Sequence, residues 1–356
     1  MAKYENRKLI NEHEQSEMRI LVTGSAGFIG GYLVEELLKQ DHTVIGVDNY
    51  SKYGKVEKSY DKNPNYEFHE NDAKDVRLLK RLLVDCDHFI ALAAMVGGIT
   101  YCHEFAYDLL AENERITIAG FDAAIDAHQK HRLKKITFLS SSMVYESTTV
   151  FPTPESAARS SAPPQSTYGF QKLACEYFAQ GAREQYQLPY TIIRPFNCVG
   201  TGEGKAMTGK EVESGNVKLA MSHVVPDLAI KILRGQDPLH ILGDGKQVRH
   251  YIYGADLAKG IIAATFSDKA LNEDYNISSA RSTTVLELAE MIWQRIHPNK
   301  SFKYVSDPAL QHDITKVAPD VSKAKKHLGY EATTSLEEML DEVVPWIVKQ
   351  VEIGAL

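Results

Sequence analysis

The sequence predicts an α/β fold of the Rossmann type, with a doubly wound parallel sheet and a smaller C-terminal α/β substrate lobe. The first observation is a strand, a glycine-rich turn, a helix and a second strand between Arg19 and Asp48. The second is that short apolar segments alternate with helical ones as far as Pro195, which is typical of parallel sheets covered on both faces. The third is size, because 356 residues of 44% hydrophobic content can fill one large domain and an annex.

The elements before Pro195 follow from the spacing of their apolar residues. A helix over 28–40 places Ile29, Leu33 and Leu37 on one face, between two short apolar runs that are expected to be strands. The alternation then continues along the chain. Strands are predicted over 19–23, 43–47, 66–69, 88–93, 135–140 and 190–194, and helices over 28–40, 75–83, 106–128 and 168–186.

The chain after Pro195 is less regular and is expected to form the smaller lobe. Residues 201–217 are rich in Gly, Lys and Glu and are predicted to be a mobile loop. Further predicted elements are a helix over 223–234, a strand over 239–242, and two or three helices after Ser282. The expected parts are an N-terminal extension (1–17), a dinucleotide-binding domain (18–195) and a lobe that mainly binds substrate (196–356), with a soft boundary because the chain is expected to cross back.

Composition and charge argue against several classes of function. The formal net charge is −7 and no basic block is present, so nucleic acid is not an expected partner. No apolar stretch approaches transmembrane length and residues 1–17 lack the apolar centre of a secretory signal, so no membrane partner is expected. The four cysteines show no paired spacing, which argues against a metal site or a disulfide framework and favours a reduced, cytoplasmic enzyme.

Gly24, Gly27 and Gly30 lie directly after the first strand and open the helix that follows. In a dinucleotide-binding unit such glycines allow a tight turn, a close approach to the pyrophosphate and close packing of helix on strand. The pyrophosphate then lies at the N-terminus of the helix, where free N–H groups and the dipole favour negative charge. Glycine turns also occur for purely structural reasons, but the flanking strands and helix favour a cofactor site here.

Asp48 ends the second strand, where its carboxylate is placed to accept hydrogen bonds from both adenosine ribose hydroxyls. No arginine is nearby to offset the charge of a 2′-phosphate, and Lys52 and Lys55 are the only candidates, so the sequence favours NAD over NADP. Asp72 ends the third strand and has two interpretations. It either reaches the adenine or caps the helix that begins near Asp75.

A serine run at 140–142 and a tyrosine–lysine pair indicate proton transfer. Tyr168 and Lys172 are four residues apart, so a helix places them on one face. A lysine ammonium stabilises a nearby phenolate, which can then take a hydroxyl proton as hydride leaves the same carbon and return it for reduction. Such a pair alone is more often an ordinary surface pair, and its position behind the glycine turn favours the catalytic interpretation.

From Met18 to about Trp346 the chain resembles the extended short-chain dehydrogenase/reductase superfamily, and within it the nucleotide-sugar epimerases and dehydratases. The matching motifs lie, in order, at 21–30, 91–94, 140–145, 168–172, 194–197, 243–249, 275–277 and 328–330. The resemblance implies bound NAD, a nucleotide-diphosphate sugar as substrate, and a homodimer packed through the two long helices over 106–128 and 168–186.

The resemblance also implies roles for single residues. Ser141 is expected to hydrogen-bond the reacting sugar oxygen, Tyr168 to act as the base, and Lys172 to bind the nicotinamide ribose. The expected cofactor contacts are Gly24, Gly27, Phe28, Ile29, Gly30, Asp48, Asn49, Asp72, Ala73, Leu92, Ala93, Ala94, Tyr168 and Lys172. The expected substrate contacts are Met95, Gly97, Gly98, Ser142, Met143, Asn197, His223, Arg249 and Lys316.

Three of these substrate contacts are expected to involve the diphosphate. Asn197 and Arg249 would hold it, Arg249 by charge-assisted hydrogen bonds. The alternatives are a turn residue after a strand for Asn197 and a surface ion pair for Arg249. Lys316 lies where many relatives carry an arginine, so it would offer a point charge in place of a fork.

Two segments are similar to particular members. Residues 93–99 look like a loop of GDP-fucose synthases and GDP-mannose 3,5-epimerases, and residues 222–226 look like the fucose-synthase segment that carries a histidine acid/base. His223 is therefore a fourth catalytic candidate, or else a helix-start residue that bonds substrate or backbone. Those enzymes carry a cysteine where this chain has Met143, whose thioether cannot exchange a proton. The 4,6-dehydratases carry an Asp–Glu pair at Ser142 and Met143, which also argues against dehydration.

The predicted function is epimerisation of a nucleotide-diphosphate sugar through a transient 4-keto intermediate, with C4 as the favoured centre. The open alternatives are a 3- or 5-epimerase, a decarboxylase or dehydratase, and a net 4-dehydrogenase or ketoreductase. A non-enzymatic NAD-bound relative is disfavoured because Ser141, Tyr168 and Lys172 are all present. The nucleotide base and the sugar stay open.

Overall fold

The computed structural model describes residues 17–97, 104–204, 211–214, 217–220, 223–309 and 316–356. Within them, seven parallel strands form a central sheet in the order β3-β2-β1-β4-β5-β6-β13. These strands are β1 (Arg19–Thr23), β2 (Thr43–Asp48), β3 (Tyr66–Glu70), β4 (His88–Ala91), β5 (Lys135–Leu139), β6 (Tyr190–Pro195) and β13 (Glu273–Ile277). The winding reverses between β1 and β4, so a crevice opens at the carboxyl ends of these two strands. The predicted fold class is confirmed.

Helices cover both faces of the sheet. They are α1 (Phe28–Lys39), α2 (Val76–Leu82), α3 (Ala106–Lys130), α4 (Ala157–Ser160), α5 (Thr167–Tyr186), α6 (Val224–Leu233), α7 (Gly254–Phe266), α8 (Val285–Ile296), α9 (Ser322–Leu328) and α10 (Leu336–Glu352). On one face α2, α3 and α5 bury a core that includes Phe89 and Ala179. On the other, α1 and α7 pack together over Leu33 and Ile261. Because helices cover both faces, the central strands β1 and β2 are near-continuous apolar runs.

The chain after Pro195 builds a lobe and also returns to the sheet. β13 pairs in parallel with β6, so residues 273–277 supply the last strand of the main sheet. The lobe has its own apolar core around Trp293 and Leu340, closed by α6, α8 and α10. Its short strands pair as β7 (Cys198–Val199) with β12 (Ile252–Tyr253), β8 (Glu211–Ser214) with β9 (Val217–Ala220), β10 (Leu239–Leu242) with β15 (Tyr304–Asp307), and β11 (Val248–His250) with β14 (Ser282–Thr284).

Three element predictions need correction. The strand expected over 88–93 ends at Ala91, where the paired register with β1 and β5 also ends. The loop predicted over 201–217 contains β8, which forms an antiparallel pair with β9. The helix expected over 75–83 begins after Asp75, whose carboxylate caps it. None of the helices in the described ranges combines the length and apolar character needed to cross a bilayer.

Candidate active site

The glycine turn between β1 and α1 is shaped for the close approach of a ligand. Gly24 has a left-handed φ of 75°, and a Cβ there would lie 2.9 Å from the backbone nitrogen of Ala93. A Cβ on Gly30 would lie 1.9 Å from the carbonyl oxygen of Gly24. Side chains at these positions would therefore disrupt the turn. What remains is bare backbone at the mouth of the crevice, as a dinucleotide diphosphate requires.

The first turn of α1 faces the same space. Its first intrahelical bond runs from the N–H of Gly31 to the carbonyl of Gly27. The N–H groups of Phe28, Ile29 and Gly30 consequently have no acceptor within the helix. Such groups, together with the positive end of the helix dipole, bind phosphates. The turn and the helix end fit the diphosphate of NAD.

Asp48 lies at the carboxyl end of β2, as predicted. Its Oδ2 accepts the N–H of Ala26 at 3.1 Å and its Oδ1 accepts the N–H of Tyr50 at 2.8 Å. These bonds fix the carboxylate, and each oxygen keeps a further lone pair for a ribose hydroxyl. Lys55, a candidate to offset a 2′-phosphate, donates to Glu70 at 2.8 Å, so its charge is already matched. The geometry suits NAD, which has no phosphate on that ribose.

Asp72 does not cap α2. Its Oδ1 accepts the N–H of Lys74 at 2.9 Å, and the neighbouring Asp75 is the cap. The side chain of Asn49 lies 3.5 Å from Oδ2 of Asp72, so the ends of β2 and β3 meet at the place expected for the adenosine. Ala73, the next predicted contact, is buried. The adenine contact of Asp72 stays a prediction, and its alternative as a helix cap is wrong.

The segment after β4 forms the other wall of the crevice. The N–H of Leu92 donates to the carbonyl of Thr23 at 3.2 Å, and the N–H of Ala93 lies 3.4 Å from the Thr23 hydroxyl. The predicted cofactor contacts Leu92, Ala93 and Ala94 are thereby held beside the glycine turn.

Asn113 on α3 is a site residue that the sequence analysis missed. It is 2% exposed, its Oδ1 accepts the N–H of Met95 at 2.6 Å, and its Nδ2 donates to the Met95 carbonyl at 2.9 Å. The pair of bonds fixes the backbone at a predicted substrate contact. A polar residue on the inward face of an apolar helix was the available signal. Gly97 lies two residues further on, and Gly98 falls outside the described residues.

Ser141 is the second residue after β5 and caps the short 3₁₀ helix Ser142–Tyr145. It is 8% exposed, and its Oγ accepts the N–H of Met143 at 3.2 Å. The hydroxyl hydrogen is left to donate to a sugar oxygen, as the predicted role requires. Ser142 and Met143, both half-buried in this turn, bring no acid to the site.

Helix α5 brings Tyr168 and Lys172 to the end of β5. The Lys172 ammonium donates to the carbonyl of Leu139 at 3.1 Å and lies 5.9 Å from the centre of the Tyr168 ring. Because Leu139 is the last residue of β5, the bond places this pair at the strand end from which Ser141 follows. A buried cation beside a phenol favours the phenolate, which is the chemistry that proton abstraction needs.

The predicted diphosphate contacts lie on the lobe. The backbone of Val248 forms a bridge with Lys316, so the segment that carries Lys316 lies against the strand that carries Arg249. Asn197 uses its amide N–H to donate to the carbonyl of His250 at 3.0 Å, which joins β7 to the strands around Arg249. That bond gives Asn197 a structural role beside its predicted ligand contact.

His223 is the residue before α6, at the helix start that one interpretation expected. Its Nδ1 is hydrogen-bonded to Oε1 of Glu203, a buried carboxylate that the sequence analysis did not single out. Attraction by Glu203 raises the pKa of His223, although desolvation of the ring opposes the shift. With Nδ1 held, Nε2 is the ring nitrogen left for a ligand. The pairing joins positions 20 residues apart across a segment predicted as a loop, so no local pattern pointed to it.

Known proteins resemble the chain over nearly its whole length. The sequence profile of the NAD dependent epimerase/dehydratase family matches residues 20–278. A UDP-N-acetyl-alpha-D-glucosaminuronate decarboxylase of Bacillus cytotoxicus is 30% identical over 335 residues, covering 92% of this chain and 97% of that protein. The crystal structure of UDP-glucose 4-epimerase from Thermotoga maritima, with UDP-glucose, is 31% identical with a TM-score of 0.78, covering 94% of this chain and 100% of that one. That of UDP-glucuronic acid 4-epimerase from Bacillus cereus, with UDP-glucuronic acid and NAD, is 26% identical with a TM-score of 0.77 and the same coverage.

Proposed function

The chain belongs to the NAD dependent epimerase/dehydratase family, and on that premise we propose that it is an NAD-dependent 4-epimerase of a nucleotide-diphosphate sugar. The observation that carries the proposal is the position of Lys172 and Tyr168 at the end of β5, from which Ser141 follows. The absence of an acid at Ser142 and Met143 favours return of the hydride to C4 over elimination of water.

Side chains of this protein transfer the proton of the C4 hydroxyl while the sugar is oxidised and reduced. The chemistry that NAD supplies when bound is reversible acceptance of a hydride from C4 of the sugar. Ser141 donates a hydrogen bond to the C4 oxygen and orients it. The Tyr168 phenolate takes the proton of the C4 hydroxyl and returns it to the same oxygen after the 4-keto sugar has turned its other face to the cofactor. Lys172 keeps the phenolate charged and, by position, binds the nicotinamide ribose.

A panel of UDP-, GDP-, CDP- and dTDP-sugars, incubated with the purified protein and read by NMR and mass spectrometry, tests the proposal. If the reaction is run in D₂O, a 4-epimerase gives a product with no deuterium bound to carbon and needs only catalytic amounts of NAD. Stoichiometric NADH would identify a net dehydrogenase, loss of carbon dioxide a decarboxylase, and loss of water a dehydratase.

The His223–Glu203 pair favours one second candidate, epimerisation at C3 or C5. Next to a 4-ketone those carbons are acidic, and a histidine held by a carboxylate is a suitable acid/base. One deuterium at C3 or C5, lost in His223→Asn, would support this route. Met143 argues against epimerisation at C3 or C5, because the second acid/base of two-base epimerases is missing at that position.

We also propose a homodimer in which α3 and α5 of two copies form a four-helix bundle. These helices line an open apolar groove, and Ile118, Phe170, Tyr177 and Phe178 are 43%, 49%, 62% and 38% exposed there. Exposed apolar surface of this extent indicates a protein interface. Ala182, on the same face of α5, is buried within the protomer. Sedimentation that finds only monomer at micromolar concentration would contradict the proposal.

The compartment is a proposal as well. Among the described cysteines, Cys86, Cys175 and Cys198 are free thiols. Free thiols suit a reducing compartment, and we propose the cytoplasm. Cell fractionation with an antibody to the chain would test this.

A further inference from the structure

A buried ion-pair network lies directly beneath the catalytic candidates. Its centre is Arg194 at the end of β6, which is 1% exposed. Arg194 forms a two-pronged pair with Glu176 of α5, through Nε at 2.8 Å and Nη2 at 2.7 Å. Nη2 also lies 2.8 Å from the carboxylate of Asp274 on β13. Two parallel bonds of this kind fix both groups in orientation as well as in distance.

The network reaches the serine loop through two separate contacts. Ser140, the residue before Ser141, donates its hydroxyl to Oε1 of Glu176 at 2.5 Å. Nη1 of Arg194 donates to the Tyr145 hydroxyl at 2.6 Å, at the far end of the 3₁₀ helix that Ser141 begins. The turn that carries Ser141 is therefore anchored on both sides of that residue.

The same network reaches the catalytic helix. Glu176 lies four residues after Lys172 and eight after Tyr168, so all three share one face of α5. Lys172 contacts the carbonyl of Leu139 while Glu176 contacts Ser140, so the helix is bonded to β5 at two successive residues. A shift of α5 along the strand would break both bonds at once.

We propose that Ser140, Glu176 and Arg194 are positioning residues that hold Ser141 and the Tyr168–Lys172 pair in register for proton transfer. This rests on the proposed function in that Ser141 and Tyr168 act on the sugar. Ser140 and Arg194 thereby acquire a role. They belong to the 140–145 and 194–197 motifs, for which the sequence predicted no role of these two residues. Positioning residues are needed because the reacting groups come from different elements, and small displacements of reacting groups lower rates steeply.

The sharpest test is Ser140→Ala, which removes one link and leaves the Arg194–Glu176 pair intact. Its matched control is Thr191→Val, which removes a buried hydroxyl from β6 that donates to the carbonyl of Ala270 at 2.6 Å, away from the serine loop. Both variants are compared with wild type for Tm, NAD affinity, KM and kcat, using whichever nucleotide sugar wild type converts.

For Ser140→Ala we expect kcat to fall about tenfold, with KM and NAD affinity within twofold of wild type. We also expect the acid limb of its pH–rate profile to move to higher pH, because a loosened Lys172 stabilises the phenolate less. Thr191→Val should lose a similar amount of Tm and keep wild-type kcat and pH profile. Equal kcat values in the two variants, or an unmoved pH profile in Ser140→Ala, would overturn the proposal.

A double variant tests whether Ser140 affects kcat through Glu176 or independently of it. If Ser140 acts through Glu176, then Ser140→Ala combined with Glu176→Gln loses no more kcat than Glu176→Gln alone. Multiplicative losses would contradict this. Should Glu176→Gln fail to fold, the Ser140→Ala and Thr191→Val pair decides the matter alone. If wild type converts no sugar in the panel, it is the proposed function that fails, a result distinct from any difference between variants.

Discussion

The cofactor crevice and the substrate side of this site are built in different ways. The crevice is local: Gly24, Gly30 and Asp48 lie within 25 residues, and a single strand–turn–helix–strand unit places them. The substrate side is assembled from distant positions, such as His223 held by Glu203 and Lys316 bridged to Val248. Because neighbouring residues form the crevice, its position can be predicted from the sequence and is insensitive to changes elsewhere in the chain. The positions of the substrate-side residues depend on how the lobe packs.

The catalytic pair stands between these two regions and gives the largest expected effect. Tyr168→Phe removes the phenolic proton carrier and leaves the helix and Lys172 in place. We expect kcat to fall about 10²–10⁴-fold, since that is the usual contribution of a positioned acid/base, with NAD binding unchanged. Steady-state kinetics and calorimetric NAD titration measure the two effects.

Tyr107→Phe is the matched control, because Tyr107 lies on α3 with its side chain largely exposed and does not line the groove proposed as the dimer interface. It should keep wild-type turnover. A Tyr168→Phe variant with full activity would remove this residue from the mechanism, and a variant that loses NAD would place its role in cofactor binding.

Asp48→Ala tests the local region and should have the next largest effect. Its carboxylate is expected to bond the ribose hydroxyls, and hydrogen bonds to a charged group contribute about 1.5–3 kcal/mol. NAD affinity should fall about 10–100-fold while NADP affinity changes little, so the preference for NAD over NADP becomes smaller. Asp61→Ala, which removes an exposed carboxylate from the same connection, is the charge-matched control and should leave the preference intact. Equal or tighter binding of NADP by wild type would contradict the assignment.

The contrast between the regions also explains what the sequence could predict. The alternation up to Pro195 predicts six of the seven strands of the sheet. The glycine turn, Asp48 and the Tyr168–Lys172 pair lie at the predicted strand ends, because each depends on spacing within one or two elements, and their ligand contacts stay predictions. Asn113, Glu203 and the links of Glu176 and Arg194 to the serine loop were not found. Each makes its key bond to a residue at least 18 positions away, and nothing in a linear pattern states which segments will meet.

Glu203→Gln probes the substrate side through its pH dependence. Glu203 raises the pKa of His223 above its ordinary value near 6.5. The pair therefore stabilises the fold fully below about pH 6.5, and that contribution is lost as pH rises through the higher folded-state pKa. In Glu203→Gln we expect the His223 titration, followed by NMR, to move to lower pH. The loss of Tm should be larger on the acid side than on the alkaline side.

Asp227→Asn is the comparison variant, because Asp227 raises the same pKa as a smaller contributor. Its effect on the titration should have the same direction and a smaller size. A titration that does not move in Glu203→Gln would show that the pair does not govern His223.

The smallest expected effect returns to the crevice and concerns Lys55. This lysine is, with Lys52, one of two candidates to offset a 2′-phosphate, but it is paired with Glu70, and that hydrogen bond raises the pKa of Lys55. Glu70→Gln keeps the side-chain shape and releases the ammonium. Because both groups are exposed, the pair adds little to stability, and NAD binding and Tm should stay unchanged. NADP affinity should rise a few-fold at low salt, and the gain should shrink as salt screens the free charge. The gain should vanish in Glu70→Gln combined with Lys55→Met. A gain that persists in the double variant would mean that another group, such as Lys52, meets the phosphate.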